Sequence, residues 1–238
     1  MSNFGAYMGE AKRRREAEKS DLNIDQQRAA AATKQVVAAI TDYGGADCFL
    51  YAHIGAGLLK SLGLDAKVVA GSAAWRIGDS DGATVCHARE IQCPQNRQPR
   101  GLDCVKGGFF HVWIEAPNLI IDFSTNTLKA KVETLDAIDG VRTEISWTPE
   151  YIWYRRSVQD TYDYKMLADP RKVIQSPNAG VCCYIRHVDI DEVAIEKESE
   201  FSPSMGQFIF AAQAAYSALE RGETLKIFGV GEDGIQSG

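Results

Sequence analysis

The fold is decided by residues 44–66, which read GGADCFLYAHIGAGLLKSLGLDA. The paired glycines end one predicted helix, and Asp47 caps a second helix over the apolar stretch 49–62, which Gly63 ends. Cys48 therefore lies at the N-terminus of the second helix. Because a helix N-terminus favours a negative charge, this position favours the thiolate over the thiol.

Two short apolar runs further along the chain predict an antiparallel hairpin. Residues 109–115 carry His111, and residues 119–123 carry Asp122. The Ala-Pro-Asn segment 116–118 is short enough to be the turn between them. Since side chains alternate along a strand, this pairing brings His111 and Asp122 to the same end of the hairpin.

Cys48, His111 and Asp122, the candidate triad, together predict a thiol enzyme. Cys48 is the candidate nucleophile, His111 the candidate base, and Asp122 the carboxylate that orients the imidazole. Taken singly, each has a plainer explanation as a small buried thiol, a structural histidine or a turn-forming aspartate. Their joint occurrence in compatible elements favours catalysis. The backbone N–H of Cys48 is one expected oxyanion donor, and Gln35 and Tyr43 are candidates for the second.

Length and composition predict an ordinary globular protein. The chain has 238 residues, of which 45% are hydrophobic and 24% charged, and its net charge is -6. We therefore expect no general affinity for nucleic acid. We also expect neither a membrane span nor a secretory signal, since no long apolar stretch occurs and the N-terminus is charged. Six cysteines in this setting indicate reduced thiols and a cytoplasmic location.

The chain divides into three predicted regions. Residues 1–21 mix both signs of charge, which is typical of a solvated tail or frayed helix. Residues 22–228 are expected to form a single domain, whose part beyond residue 124 has weaker patterns and adds elements around the core. Residues 229–238 are expected to be a mobile tail.

Four potential metal ligands lie between the predicted strands: Cys86, His87, Cys93 and Cys104. Structural zinc sites commonly use closely spaced cysteine pairs, and this segment has no C-x-x-C pair. Adjacent strand residues such as Cys86 and His87 also face opposite sides. We therefore expect no metal, and no cofactor of any other kind, because thiol-dependent acyl chemistry requires neither.

Residues 44–124 resemble the core of the transglutaminase-like superfamily. The motifs that carry the resemblance are GGADC at 44–48, LGLDA at 62–66, HVWIE at 111–115 and IID at 120–122. The resemblance implies an α+β, papain-like fold, in which the nucleophile helix packs on an antiparallel β-sheet and C-terminal elements are added. Matched residue by residue, Cys48 corresponds to the nucleophile, His111 to the base and Asp122 to the orienting carboxylate.

The resemblance also implies acyl-enzyme chemistry on an amide or peptide carbonyl. We expect hydrolysis of a peptide, protein or small amide by a peptidase or amidase, with no nucleic-acid or membrane partner. Two alternatives stay open. One is acyl transfer of the transglutaminase or N-acetyltransferase type, although Tyr43 stands where the acetyltransferases carry an arginine. The other is a non-catalytic module that retains the fold and binds a peptide or protein.

Overall fold

The computed structural model describes residues 24–41, 48–79, 83–87, 110–156, 182–223, 227–231 and 234–237. Within these ranges the protein is α+β, with four α-helices and antiparallel strands. The helices are α1 (Gln26–Ile40), α2 (Cys48–Ser61), α3 (Leu128–Asp139) and α4 (Val188–Glu220). The strands are β1 (Lys67–Arg76), β2 (Thr84–His87), β3 (His111–Ala116), β4 (Leu119–Asp122), β5 (Ile152–Arg155), β6 (Cys182–Arg186), β7 (Ile227–Gly231) and β8 (Gly234–Ser237).

The apolar spacing predicts a first helix over 25–43, and α1 (Gln26–Ile40) lies within that range. The side chain of Asp25 caps α1 by accepting the backbone N–H of Arg28 at 2.9 Å. Helix α2 begins at Cys48 itself. Gly63 follows α2 with a φ of 92°, a left-handed conformation that glycine adopts without steric cost. The structure therefore confirms that Gly63 follows the end of α2 and that Cys48 lies at its N-terminus. Asp47, the predicted cap, lies outside the described residues.

Strand β1 is the centre of the main sheet, and three strands pair with it. Gly71 pairs with His111 of β3 on one side and with Arg186 of β6 on the other. Ala73 pairs with His87 of β2 on one side and with Tyr184 of β6 on the other. Because β6 takes the same side at both positions, β2 and β3 share the opposite side. Strands β2 and β3 therefore follow one another along a single edge of β1, which brings His87 beside His111.

The remaining strands extend this sheet from β3. Strand β4 pairs with β3 only at Ile114–Ala116, and β5 pairs with the whole of β4. The turn between β3 and β4 contains Asn118, whose φ is 62°, a region that asparagine tolerates better than most residues. Because β4 stops pairing at Ile114, no described strand pairs with this edge of β3 at His111.

The two faces of the sheet pack against different helices. One face packs against α1, α2 and α4, whose buried residues include Ile54, Leu58 and Ala212. Helix α2 approaches this face closely at Gly55, where a Cβ would lie 2.7 Å from the ring of Phe123. The other face contacts α3 through Leu128, beside buried tryptophans of the sheet. We call these the helix face and the α3 face.

Two C-terminal elements extend beyond the sequence-based expectations. The pattern predicts a helix over 207–221, whereas α4 covers 33 residues and continues through Pro203. In the expected mobile tail, 229–238, most residues take part in the antiparallel pair of β7 and β8. The charged segment 1–21 lies outside the described residues. Among the helices that are described, none combines the length and hydropathy that a membrane span requires.

Candidate active site

The β3–β4 hairpin brings His111 and Asp122 into contact. His111 Nε2 lies 2.8 Å from Asp122 Oδ2, and each side chain is 2% exposed. The two residues are on the same face of the sheet, just beyond the last paired residue, Ile114. The structure therefore joins the two residues that hairpin geometry predicts to be neighbours.

Cys48 lies on the opposite side of the imidazole from Asp122. Its thiol interacts with the His111 ring and with the backbone of Val112, on the edge of β3 that β4 leaves unpaired. Because Nε2 of His111 faces Asp122, Nδ1 is the nitrogen left for the thiol. Nδ1 is buried and has no hydrogen bond of normal geometry within the described residues. All three members of the candidate triad thus meet at the N-terminus of α2.

The surrounding charges favour a thiolate–imidazolium pair. Burial acts to raise the pKa of the Cys48 thiol, but His111, Val112 and the Lys131 ammonium outweigh it and lower that pKa. Burial also disfavours the imidazolium, yet Asp122 and Cys48 raise the pKa of His111 to about 9. At neutral pH His111 is therefore protonated, and the lowered pKa of Cys48 favours the nucleophilic thiolate over the thiol.

Asp122 accepts four hydrogen bonds. Its Oδ1 accepts the Ser124 backbone N–H at 2.9 Å and the Ser124 hydroxyl at 2.7 Å. Its Oδ2 accepts the Tyr184 hydroxyl at 2.8 Å in addition to the His111 ring. Burial alone would raise the pKa of this carboxyl, but the imidazolium and the hydrogen bonds together lower it. The carboxylate is thus ionised and held in one orientation.

Tyr184 is a site residue that the sequence does not single out. Its hydroxyl accepts the Trp75 Nε1–H at 2.9 Å and donates to Asp122. Burial and the Asp122 charge raise the pKa of Tyr184 well above its usual value, so the hydroxyl stays protonated as a donor. The contact spans 62 positions and depends on the register of β6 against β1. The only local signal is that Tyr184 lies in a β-like run.

His87 and Lys131 form a second polar pair beside the triad. Lys131 Nζ donates to His87 Nε2, and the His87 ring is edge-on to the His111 ring, with centroids 5.4 Å apart. Burial, followed by the charges of Lys131 and His111, lowers the pKa of His87 well below its ordinary value. His87 is therefore a neutral acceptor, and the positive charge of the pair is on Lys131.

The candidate metal ligands do not converge within the described residues. Cys86 packs against Ala74 and Cys183, on the helix face, whereas its neighbour His87 is on the α3 face. Cys93 and Cys104 lie outside the described residues. No group of three histidine, cysteine, aspartate or glutamate side chains suited to a metal occurs in the described part of the chain.

The second oxyanion donor remains unassigned. Tyr43 lies outside the described residues. The Oε1 atom of Gln35 is buried on α1 and has no hydrogen-bond partner in the described part of the chain. The backbone N–H of Cys48, in the first turn of α2, is the donor whose position follows from the helix itself.

Comparison with known proteins identifies a region but no activity. Residues 23–139, slightly less than half of the chain, match the model of a family described as "Protein of unknown function (DUF2026)", and they include the whole candidate triad. No curated protein matches the chain. A solved structure described as "The crystal structure of genomics APC5867" is 16% identical, with a TM-score of 0.49 over 81% of this chain and 78% of that chain.

Proposed function

We propose that this protein is a cysteine hydrolase, a peptidase or amidase, with a papain-like core of the transglutaminase-like type. The observation that carries the proposal is the buried His111–Asp122 contact of 2.8 Å with the Cys48 thiol at the other side of the ring. Burying ionisable groups costs stability, and apolar residues would fill the same space at lower cost. Perturbed, mutually supporting pKa values of this kind are concentrated at functional sites.

In the proposed mechanism the Cys48 thiolate attacks the carbonyl carbon of an amide. The backbone N–H of Cys48 donates to the oxyanion, with the positive end of the α2 dipole behind it. The His111 imidazolium then transfers its Nδ1 proton to the leaving amine, and the C–N bond breaks to give a thioester. Water attacks the thioester as His111 takes its proton, and the thiolate leaves. Asp122 keeps Nε2 protonated throughout.

Water is the proposed acyl acceptor, and a peptide, protein or small amide is the proposed substrate. The proposed mechanism uses only groups of this protein and water, so it requires no cofactor. A reducing compartment such as the cytoplasm is part of the proposal, because a nucleophilic thiol must stay reduced. Cys48 is a free thiol.

The test is the rate at which iodoacetamide alkylates Cys48 as a function of pH, read by mass spectrometry. We expect wild-type Cys48 to react rapidly at pH 6, where an ordinary thiol with a pKa of about 8.5 is almost entirely protonated. In His111→Ala the midpoint should rise to about 8.5. Cys86 and Cys182, two half-buried thiols read in the same digest, are internal controls.

The outcomes separate the proposal from its alternatives. A midpoint near 8.5 for Cys48 in both proteins would overturn the enzyme assignment. An activated thiol that hydrolyses no member of an amide and peptide library would favour the peptide-binding module. Incorporation of an added amine, or release of coenzyme A from an acyl thioester, would favour acyl transfer over hydrolysis.

A further inference from the structure

We propose that Lys131, held in place by His87, forms an anion-binding subsite beside the Cys48 thiol and selects substrates that carry a carboxylate close to the scissile amide. The inference rests on the proposed function, because it assigns a substrate class to that site. It concerns residues that take no part in the bond-making and proton-transfer steps of the proposed mechanism.

The packing of α3 directs Lys131 towards the triad. Leu128, three positions earlier on the same side of the helix, packs into the α3 face of the sheet. Lys131 Nζ donates to His87 Nε2, and the His87 ring stacks edge-on against both His111 and Trp75, with a centroid separation of 5.4 Å in each case. The ammonium is therefore separated from the catalytic imidazole by a single side chain.

Among the residues that the structure describes, Lys131 has no carboxylate partner for its charge. Within the described residues no acidic oxygen is in ion-pair distance of its Nζ, and the charges that act on it are those of Cys48 and Asp122. Asp122 already accepts four hydrogen bonds. By contrast, Lys129 on the same helix is 64% exposed and lies 3.9 Å from Glu133. A half-buried, unpaired ammonium costs stability that a bound anion would offset.

The hydrogen-bonding capacity of the pair is suited to a carboxylate. An ammonium has three N–H donors, and His87 accepts one of them. Two donors remain for a ligand, and neutral His87 adds no charge of its own. In a peptide or amide substrate the anion of matching size and charge is a carboxylate, either of an acidic side chain or of the chain terminus. We therefore assign carboxylate-bearing substrates without choosing between these two sources.

A pair of alkylating reagents tests the subsite without a known substrate. Iodoacetate and iodoacetamide undergo the same reaction with the same thiolate, and only iodoacetate carries a carboxylate. The ratio of their rates at Cys48 therefore cancels any change in the pKa of the thiol. We expect Lys131→Gln to lower the iodoacetate-to-iodoacetamide ratio roughly tenfold, the effect of removing one nearby, partly buried charge.

The matched control is Lys129→Gln, which removes the same charge from the exposed side of the same helix. An exposed, distant charge is screened by salt. The iodoacetate-to-iodoacetamide ratio of Lys129→Gln should therefore stay within about twofold of wild type. Lys131→Arg should retain most of the preference. Lys131→Met keeps the apolar part of the side chain and serves as a second charge-removing variant in case Lys131→Gln does not fold. It should lower the ratio to the same extent.

An unchanged ratio in both charge-removing variants of Lys131 would overturn the subsite. Rapid reaction of wild-type Cys48 with iodoacetamide would still support the proposed function in that case. Slow reaction of wild-type Cys48 with both reagents would instead count against the proposed function, while a lowered ratio in Lys131→Gln would still support an anion site. The two failures are therefore distinguishable.

The source of the carboxylate is read by protection of Cys48 from iodoacetamide. N-acetylglutamate α-amide offers a side-chain carboxylate, N-acetylglutamine offers a terminal one, and N-acetylglutamine amide offers neither. Protection by the first alone, or by the second alone, would support the subsite and identify the source. Protection no better than that of the uncharged amide in both cases would overturn it.

Discussion

The two faces of the sheet differ in the kind of interaction they contain. On the helix face, Ile54, Leu58 and Leu59 are fully buried among other apolar residues. On the α3 face, the Trp75 indole, the Tyr184 hydroxyl and the Asp122 carboxylate form a continuous hydrogen-bonded chain. The helix face thus provides burial of apolar area, whereas the α3 face provides charges in defined positions. Substitutions on the helix face should therefore change the free energy of unfolding, and substitutions on the α3 face should change the reactivity of the Cys48 thiol.

Each face contains a buried histidine, and the partners of the two histidines differ. His111 on the α3 face contacts the Asp122 carboxylate at 2.8 Å. On the helix face, His187 Nε2 lies 2.9 Å from the Ser72 hydroxyl, which is a neutral group. A hydroxyl does not compensate an imidazolium as a carboxylate does, and this contrast accounts for assigning the chemistry to His111.

The largest effect is expected on the helix face, from Leu59→Ala. Leu59 is 0% exposed, and truncation of a buried leucine lowers the free energy of unfolding by about 2 to 5 kcal/mol. Urea denaturation measures this change. The alkylation rate of Cys48 in the folded protein should stay within about twofold of wild type. Lys60→Ala, the exposed neighbour on α2, should change stability by less than about 0.5 kcal/mol. A large loss of Cys48 reactivity in Leu59→Ala would show that the faces are not separable.

The next largest effect is expected on the α3 face, from Asp122→Asn. Loss of the carboxylate removes the charge that raises the pKa of His111 to about 9, so that pKa falls and the imidazolium is lost at neutral pH. The pKa of the Cys48 thiol must then rise, since the imidazolium acts to lower it. We expect the alkylation rate at pH 6 to drop about 100-fold, with the midpoint of the pH profile moving upward.

The pH profile of Asp122→Asn also shows which results would contradict this prediction. At high pH, where every thiol is ionised, Asp122→Asn and wild type should react at similar rates. An unchanged profile at low pH would mean that Asp122 does not support the imidazolium. A uniform loss at all pH values would indicate a displaced thiol rather than an altered pKa.

The smallest effect is expected from Tyr184→Phe, which shortens the hydrogen-bonded chain. The change removes a donor to Asp122 and leaves the buried Trp75 N–H without its acceptor. We expect a loss of about 1 kcal/mol in the free energy of unfolding. The alkylation midpoint should change little, because Asp122 keeps its other three hydrogen bonds. Tyr216→Phe on the helix face is the control. A change in the midpoint as large as that of Asp122→Asn would contradict this positioning role for Tyr184.

The sequence did not predict the full length of α4, because packing outweighs the usual effect of a proline there. A proline is expected to end a helix, yet α4 continues through Pro203. The long helix is supported by contacts of its second half, where Phe208 and Ala212 pack into the core of the helix face. Such tertiary contacts stabilise a helix more than local propensity does, whereas the apolar pattern predicts a helix only over 207–221 and does not reach Pro203.

The sequence by itself determined the parts of the site that depend on neighbouring residues. Cys48 begins a helix because a glycine pair precedes the apolar run, and His111 meets Asp122 because a short turn joins their strands. Only the tertiary structure decided which residues from elsewhere complete the site. Tyr184, His87 and Lys131 arrive through the register of β6 and β2 on β1 and through the packing of α3. These contacts join distant segments, so their geometry depends on the packing of the whole domain and not on local spacing.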